Sequence, residues 1–174
     1  MRYIALGGGK INALLVKLEV YMEHTTANYP GLDKFLDNEP SCVLSLPIDD
    51  AGTVHIAAMV YYHTAKPLQF YFVTDRSTEK CKLLVHKANL PAAVVVGAVP
   101  NTQFSLQMRG HVSVISPEGH DKKVAAFYRK YGGKENVDLA DPKNVLLEFT
   151  PNWARVTDYS KGYDRALLDI SGAK

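Results

Sequence analysis

The chain has 174 residues, room for one domain with an appendage. Hydrophobic residues make up 47% and charged residues 22%, the balance of a core-forming globular protein. Lys+Arg total 20 against 18 Asp+Glu, a net charge of +2. That gives no electrostatic case for nucleic acid or a membrane surface and leaves small molecules and other subunits as partners.

The N-terminal stretch "MRYIALGGGKINALLVKLEVYM" is broken by Lys10, Lys17 and Glu19. No uncharged run approaches the roughly 18 residues of a membrane span, and no compact apolar core precedes a small-residue cleavage site. "INALLVKLEVYM" fits a short amphipathic helix or a strand. Residues 1–21 are equally compatible with native sequence and with a chain start at Met22. Residues 1–28 are therefore read as an N-terminal extension and 29–174 as the domain. "LGGGKIN" fails as a nucleotide loop: Ile11 stands where Ser or Thr must follow the lysine, and a third glycine is missing.

From Tyr29 the elements come in order. "GLDKFLDNE" places Leu32, Phe35 and Leu36 at helical spacing. "SCVLSLPI" reads as a strand, "DDAG" as a hairpin turn and "TVHIAAMVYYH" (53–63) as the second strand. "LQFYFVT" (68–74) is the third. "TEKCKLLVHKA" (78–88) predicts a helix with Cys81, Leu84, Val85 and Ala88 on one face. "AAVVVGAV" (92–99) is apolar throughout and predicts a strand buried on both faces. "TQFSLQMRGHVSVI" (102–115) alternates cleanly. Phe104, Leu106, Met108, Val112 and Val114 point one way, and Gly110 marks a bulge or a close backbone approach.

Ser116 and Pro117 suit the start of a helix with Val124, Phe127, Tyr128 and Tyr131 as its stripe, closed by Gly132 or Gly133. An acidic loop leads to two last strands, "VLLEFTP" and "WARVTDYS". About six or seven short strands joined mainly by hairpins, with two or three flanking helices, predict an antiparallel barrel.

Cys42 and Cys81 stand in no metal or redox spacing and read as reduced thiols of a cytoplasmic protein. The six histidines form no metal-ligand spacing, and no metal site is expected. The stretch "VTDRSTEKCK" (73–82) is the place where chemistry concentrates. A helix beginning near Ser77 or Thr78 disfavours cations at its start, yet Arg76, Lys80 and Lys82 gather there with only Asp75 and Glu79 to offset them. Two readings stay open locally: a Ser-capped helix with a solvated basic face, or an anion site.

From about Phe35 to Asp158 the ordered set "CVLSLPIDDAGTVHIAAMVYY", "LQFYFVTDRSTEKCKLL", "ANLPAAVVV" and "LQMRGHVSVIS" resembles the pyridoxamine 5′-phosphate oxidase-like family of FMN-binding split barrels. It is most similar to that family's small stress-protein and YhbP-like groups. The resemblance implies an antiparallel split barrel of mainly β, α+β class. It implies a homodimer with FMN at the subunit interface and flavin-dependent oxidoreductase chemistry on an unassigned small-molecule substrate. The family's phosphate step falls on Thr74 and Lys80, with Ser77 and Thr78 as hydroxyl donors. Glu79 stands where an arginine is usual, leaving Arg76 or Lys82 to compensate.

The family's ring-side strand falls on Ala57 to Tyr61, with Ala58, Met59, Val60 and Tyr61 acting largely through the backbone. Its usual leading basic residue has no match. The strand before Gly110 would contribute from the partner subunit, with Gln103, Ser105 and Gln107 as candidates and Trp153 a weaker one. Tyr61, Tyr62 and His63 are the nearest groups for proton transfer. The oxidase's terminal substrate-binding arginine segment has no clear counterpart; Arg165 is the only arginine in "KGYDRALLDISGAK". The alternatives are a non-catalytic flavin, deazaflavin or haem module for sensing or storage, and a single-strand nucleic-acid barrel, which the near-neutral charge disfavours.

Overall fold

The computed structural model describes residues 29–98, 102–130 and 139–170, and the backbone of 23–25. The readings made for residues 1–22, for Tyr131 and for Gly132 and Gly133 lie outside the described residues. The elements are β1 (Glu23–Thr25), α1 (Leu32–Asn38), β2 (Ser41–Pro47), β3 (Val54–Val60), β4 (Tyr62–Ala65), β5 (Leu68–Asp75), α2 (Cys81–Leu84), β6 (Leu90–Val96), β7 (Phe104–Ile115), α3 (Asp121–Lys130), β8 (Asn144–Asp158) and β9 (Asp164–Asp169). The strands form one sheet, β1-β9-β8-β7-β6-β2-β3, in which β5 also pairs with β8 and β4 with β5. All pairings are antiparallel except β1 with β9.

The fifteen-residue β8 divides this sheet. Its first half carries β5, from Asn144 to Phe149, and its second half carries β9, from Arg155 to Asp158. β7 lines it throughout. Because β3 and β4 are one chain path interrupted only at Tyr61, the sheet curls back on itself into a barrel. Alternating side chains fill its interior. Phe104, Leu106, Met108 and Val112 of β7 point inward as their spacing predicts, against Leu44, Phe70, Val94 and Phe149.

The structure corrects several local expectations. The strand 53–63 breaks at Tyr61. The two last strands, "VLLEFTP" and "WARVTDYS", are one strand with an irregularity opposite Arg109 and Gly110. That irregularity answers the expectation for Gly110: a Cβ there would lie 2.1 Å from the Thr150 carbonyl oxygen and 2.6 Å from Pro151 Cα. The helix expected over 78–88 shrinks to Cys81–Leu84, set within a run of turns. Ser116 accepts from the Glu118 N–H in a separate turn, and α3 starts only at Asp121. β9 was not foreseen, and β1 brings three residues of the expected extension into the sheet. Cys42 and Cys81 are buried free thiols, and burial pushes the Cys42 thiol up to about 12.

Candidate functional site

The β4–β5 ladder begins at Leu68 and ends where Tyr62 faces Tyr71. Beyond that pair the two chain paths separate. β5 runs on to Asp75 along β8, while β3 runs along β2. The edge of β3 away from β2 has no ladder partner among the described residues. A split therefore opens between the end of β3 and the end of β5. It places Ala58, Met59 and Val60 on one side and Thr74, followed by the 75–82 turn, on the other.

That turn is tightly self-bonded. The Asp75 carboxylate accepts from the Ser77 N–H and the Ser77 hydroxyl, both at 2.7 Å. Those two bonds hold its carboxyl below the usual range, with the charges of Lys143 and Lys80 assisting. The Thr78 hydroxyl donates to the Asp75 carbonyl at 2.8 Å. The Arg76 N–H donates to the Lys143 carbonyl, and its Nε to Pro142. Lys82 is exposed and pairs with Glu79 at 2.7 Å. The conflict of cations at a helix start is thus smaller than the sequence suggested, because the helix is short and Glu79 offsets Lys82.

Lys80 differs from the other cations of the turn. It is 9% exposed, beside the buried Thr74, and has no ion pair among the described residues. Its charge acts on the Asp75 carboxylate without closing an ion pair, which leaves the ammonium open to a further counter-charge. A cleft of about 340 Å³ lies on the same turn, lined by Asp75, Arg76, Ser77, Pro142 and Lys143. Lys143 escaped sequence reasoning. It lies in the loop before β8, 68 residues from Asp75, and only the β5–β8 ladder brings it near.

The other candidates separate. Met59 and Tyr61 point into the barrel, and Ala58 and Val60 point out. The Tyr61 hydroxyl donates to the Leu36 carbonyl at 2.8 Å. The Lys130 ammonium donates to the same carbonyl at 3.0 Å and sits 4.1 Å over the Tyr61 ring. Tyr62 stacks on Tyr71 under α3. His63 is buried, 4.0 Å from Asp37, with no partner for Nδ1. None of these three side chains is presented to the split.

Gln103 is exposed, Ser105 is buried opposite Thr157, and Gln107 accepts from Arg155. Ser105 and Thr74 lie toward opposite ends of β7, because Thr74 faces Val145 and Ile115 faces Leu146. Ten residues of strand span about 33 Å. One chain cannot close both groups on one small ligand.

Solved structures give the architecture a name. The general stress protein 26 of Bacillus anthracis superposes with a TM-score of 0.57 at 19% identity, over 78% of this chain and 95% of that one. A protein related to general stress protein 26, of the pyridoxinephosphate oxidase family, from Clostridium acetobutylicum gives 0.55 at 15%, over 82% and 94%. A conserved hypothetical protein from Mycobacterium tuberculosis gives 0.57 at 18%, over 74% and 82%. The chain has the pyridoxamine 5′-phosphate oxidase-like split-barrel fold. The sequence matches no family model and no curated protein. Among the described residues, no helix of this split barrel is long and apolar enough to cross a membrane.

Proposed function

We propose that this split barrel binds FMN as a homodimer and works as a flavin-dependent oxidoreductase. The observation that carries the reading is Lys80, nine-tenths buried and without an ion pair among the described residues, at the mouth of the split. A phosphate would give this ammonium a counter-charge beyond the Asp75 carboxylate that it already acts on. Thr74 offers a hydroxyl beside it, and the Ser77 and Thr78 hydroxyls would turn to it from Asp75. Arg76 flanks the same turn. The edge of β3 from Ala58 to Val60, without a ladder partner among the described residues, offers backbone donors and acceptors to the polar rim of a flavin ring. The flavin supplies the hydride chemistry; the protein supplies orientation and a site shielded from water.

The dimer reading rests on the outer face of the sheet. Val54, Ile56 and Val60 of β3 are 58%, 66% and 42% exposed, and Ala58 lies between them. β6, expected to be buried on both faces, is buried on one; Ala93 and Val95 are only half covered. A second copy on this face completes the burial that the apolar sequence of β6 calls for. It also offers a route for Gln103 and its neighbours in one copy to reach a ligand held at Thr74 of the other.

The test is a titration of FMN into the wild type and Lys80→Ala, followed by quenching of flavin fluorescence. The reading expects FMN to bind the wild type and Lys80→Ala to bind at least about tenfold more weakly, the loss of one charge-assisted contact. Equal affinity in both would remove the phosphate assignment. Ala58, Met59 and Val60 carry no titratable group, which favours flavin storage or sensing as the second reading. Absence of turnover with reduced nicotinamide in an FMN-loaded dimer would select it.

A further inference from the structure

A groove of about 830 Å³ crosses the outer face of the barrel, at the size of a small-molecule site. Its course follows the strand order. Val54 of β3 stands at one wall; Ser45 and Pro47 of β2 and Pro91 and Ala93 of β6 form a shallow floor. Arg109 of β7 and Trp153 of β8, directly paired, form the other wall. The register shift at Gly110 builds that wall. Arg109 faces Trp153 and Gly110 faces Pro151, so Asn152 is the extra residue and also lines the groove. Bulges of this kind re-aim side chains beside binding sites.

The electrostatics of the groove are one-sided. The Arg109 guanidinium lies 4.5 Å from the centre of the Trp153 ring, and that of Arg155 lies 5.7 Å from it. Arg155 is engaged, donating to the Gln107 side chain. The Arg109 side chain makes no hydrogen bond or ion pair among the described residues, so stacking orients its fork and leaves its N–H groups open. No Asp or Glu lines the groove.

We propose that this groove binds a planar organic carboxylate, with the carboxylate on the Arg109 fork and the body on the apolar floor against Trp153. One open guanidinium, with the His111 imidazole beside it and no lysine in the lining, matches a monoanion, and Arg–carboxylate pairing is bidentate and specific. A second copy is a poor occupant of the groove itself. An isologous contact would set each Arg109 against a lining that holds no carboxylate, burying two unpaired cations. The proposal does not rest on the flavin reading.

Trp153 is the only tryptophan in the chain, so its emission reports the groove directly. The full-length protein is titrated with benzoate and with its neutral isostere benzamide. The groove reading expects a saturable change with benzoate and at least tenfold weaker binding of benzamide. Arg109→Ala loses that preference, Arg109→Lys keeps part of it, and Lys122→Ala, which removes an exposed cation of α3 outside the groove, leaves it intact. Circular dichroism confirms that each variant is folded. Arg109→Gln, which keeps the polar stem, replaces Arg109→Ala where the alanine variant does not fold. Equal response to the two probes, an unchanged benzoate affinity without Arg109, or no saturable response overturns the proposal. So does emission that shifts only with protein concentration, which would put a second copy in the groove.

Discussion

The outer surface of the barrel has two halves with the same apolar pattern and different cover. On one half, Tyr71 and Val73 of β5 and Leu146 of β8 are packed under Phe127 and Tyr128 of α3. On the other, Val54, Ile56 and Val60 of β3 stay largely exposed, with no helix of the described chain over them. Both halves alternate apolar residues outward as well as inward, which a strand does only when both of its faces are to be buried. The difference is that α3, amphipathic, lies where it packs on β4, β5 and β8 but not on β3. The bare face of β3 is the surface proposed above for a partner copy, and the groove at Arg109 and Trp153 lies beside it.

Truncation on the covered half tests this contrast most severely. Phe127→Ala removes a ring that is 2% exposed and is expected to cost about 3–5 kcal/mol in chemical denaturation, with no change in oligomeric state. Gly110→Ala on the other half drives a Cβ onto the Thr150 and Pro151 backbone and is expected to cost about 2–3 kcal/mol by the same measurement. A cost near zero would show that the β7–β8 crossing relaxes freely. Ile56→Asp is the opposite case. At an exposed position it should change monomer stability by less than about 0.5 kcal/mol, while weakening self-association at least tenfold in sedimentation velocity. Unchanged association would move the interface elsewhere.

A subtler difference lies at the junction between the halves. Burial holds His63 below the ordinary imidazole range; Asp37 pulls it up, Lys130 down and Asp33 up. Unfolded histidine takes its proton near 6.5, so below that pH the unfolded chain binds the extra proton and the folded chain resists it. Stability then falls as pH drops below about 6.5. His63→Phe should flatten that slope in urea midpoints taken from about pH 7 to pH 5. The smallest effect belongs to Lys82→Ala. Its side chain is exposed and already paired with Glu79, so a stability change within about 0.5 kcal/mol is expected. FMN affinity should shift less than threefold; a shift as large as that of Lys80→Ala would return the phosphate contact to the outer cation.

Much of the barrel is legible in the sequence because period-2 alternation is a local signal. The inward faces of β2 and β7, the β2–β3 hairpin and the special role of Gly110 can all be read along the chain. Helix 78–88 misleads for a physical reason. Its spacing is helical, but the Asp75–Ser77 and Thr78 bonds and the path toward β6 leave room for one turn. The break at Tyr61 is invisible locally, since the Leu36 carbonyl and Lys130 that hold that ring lie 25 and 69 residues away.

The sequence by itself determined the inward face of β7, the β2–β3 hairpin, and that Thr74 and Lys80 sit at a strand-to-helix step. Only the tertiary structure decided which cation of that step is covered and closes no ion pair among the described residues, that Lys143 joins it, and which outer face stays bare. Side-chain periodicity is set by the backbone of one element. Burial and ion pairing depend on which other element arrives, and in this fold that is settled by β8, the one strand long enough to serve three neighbours.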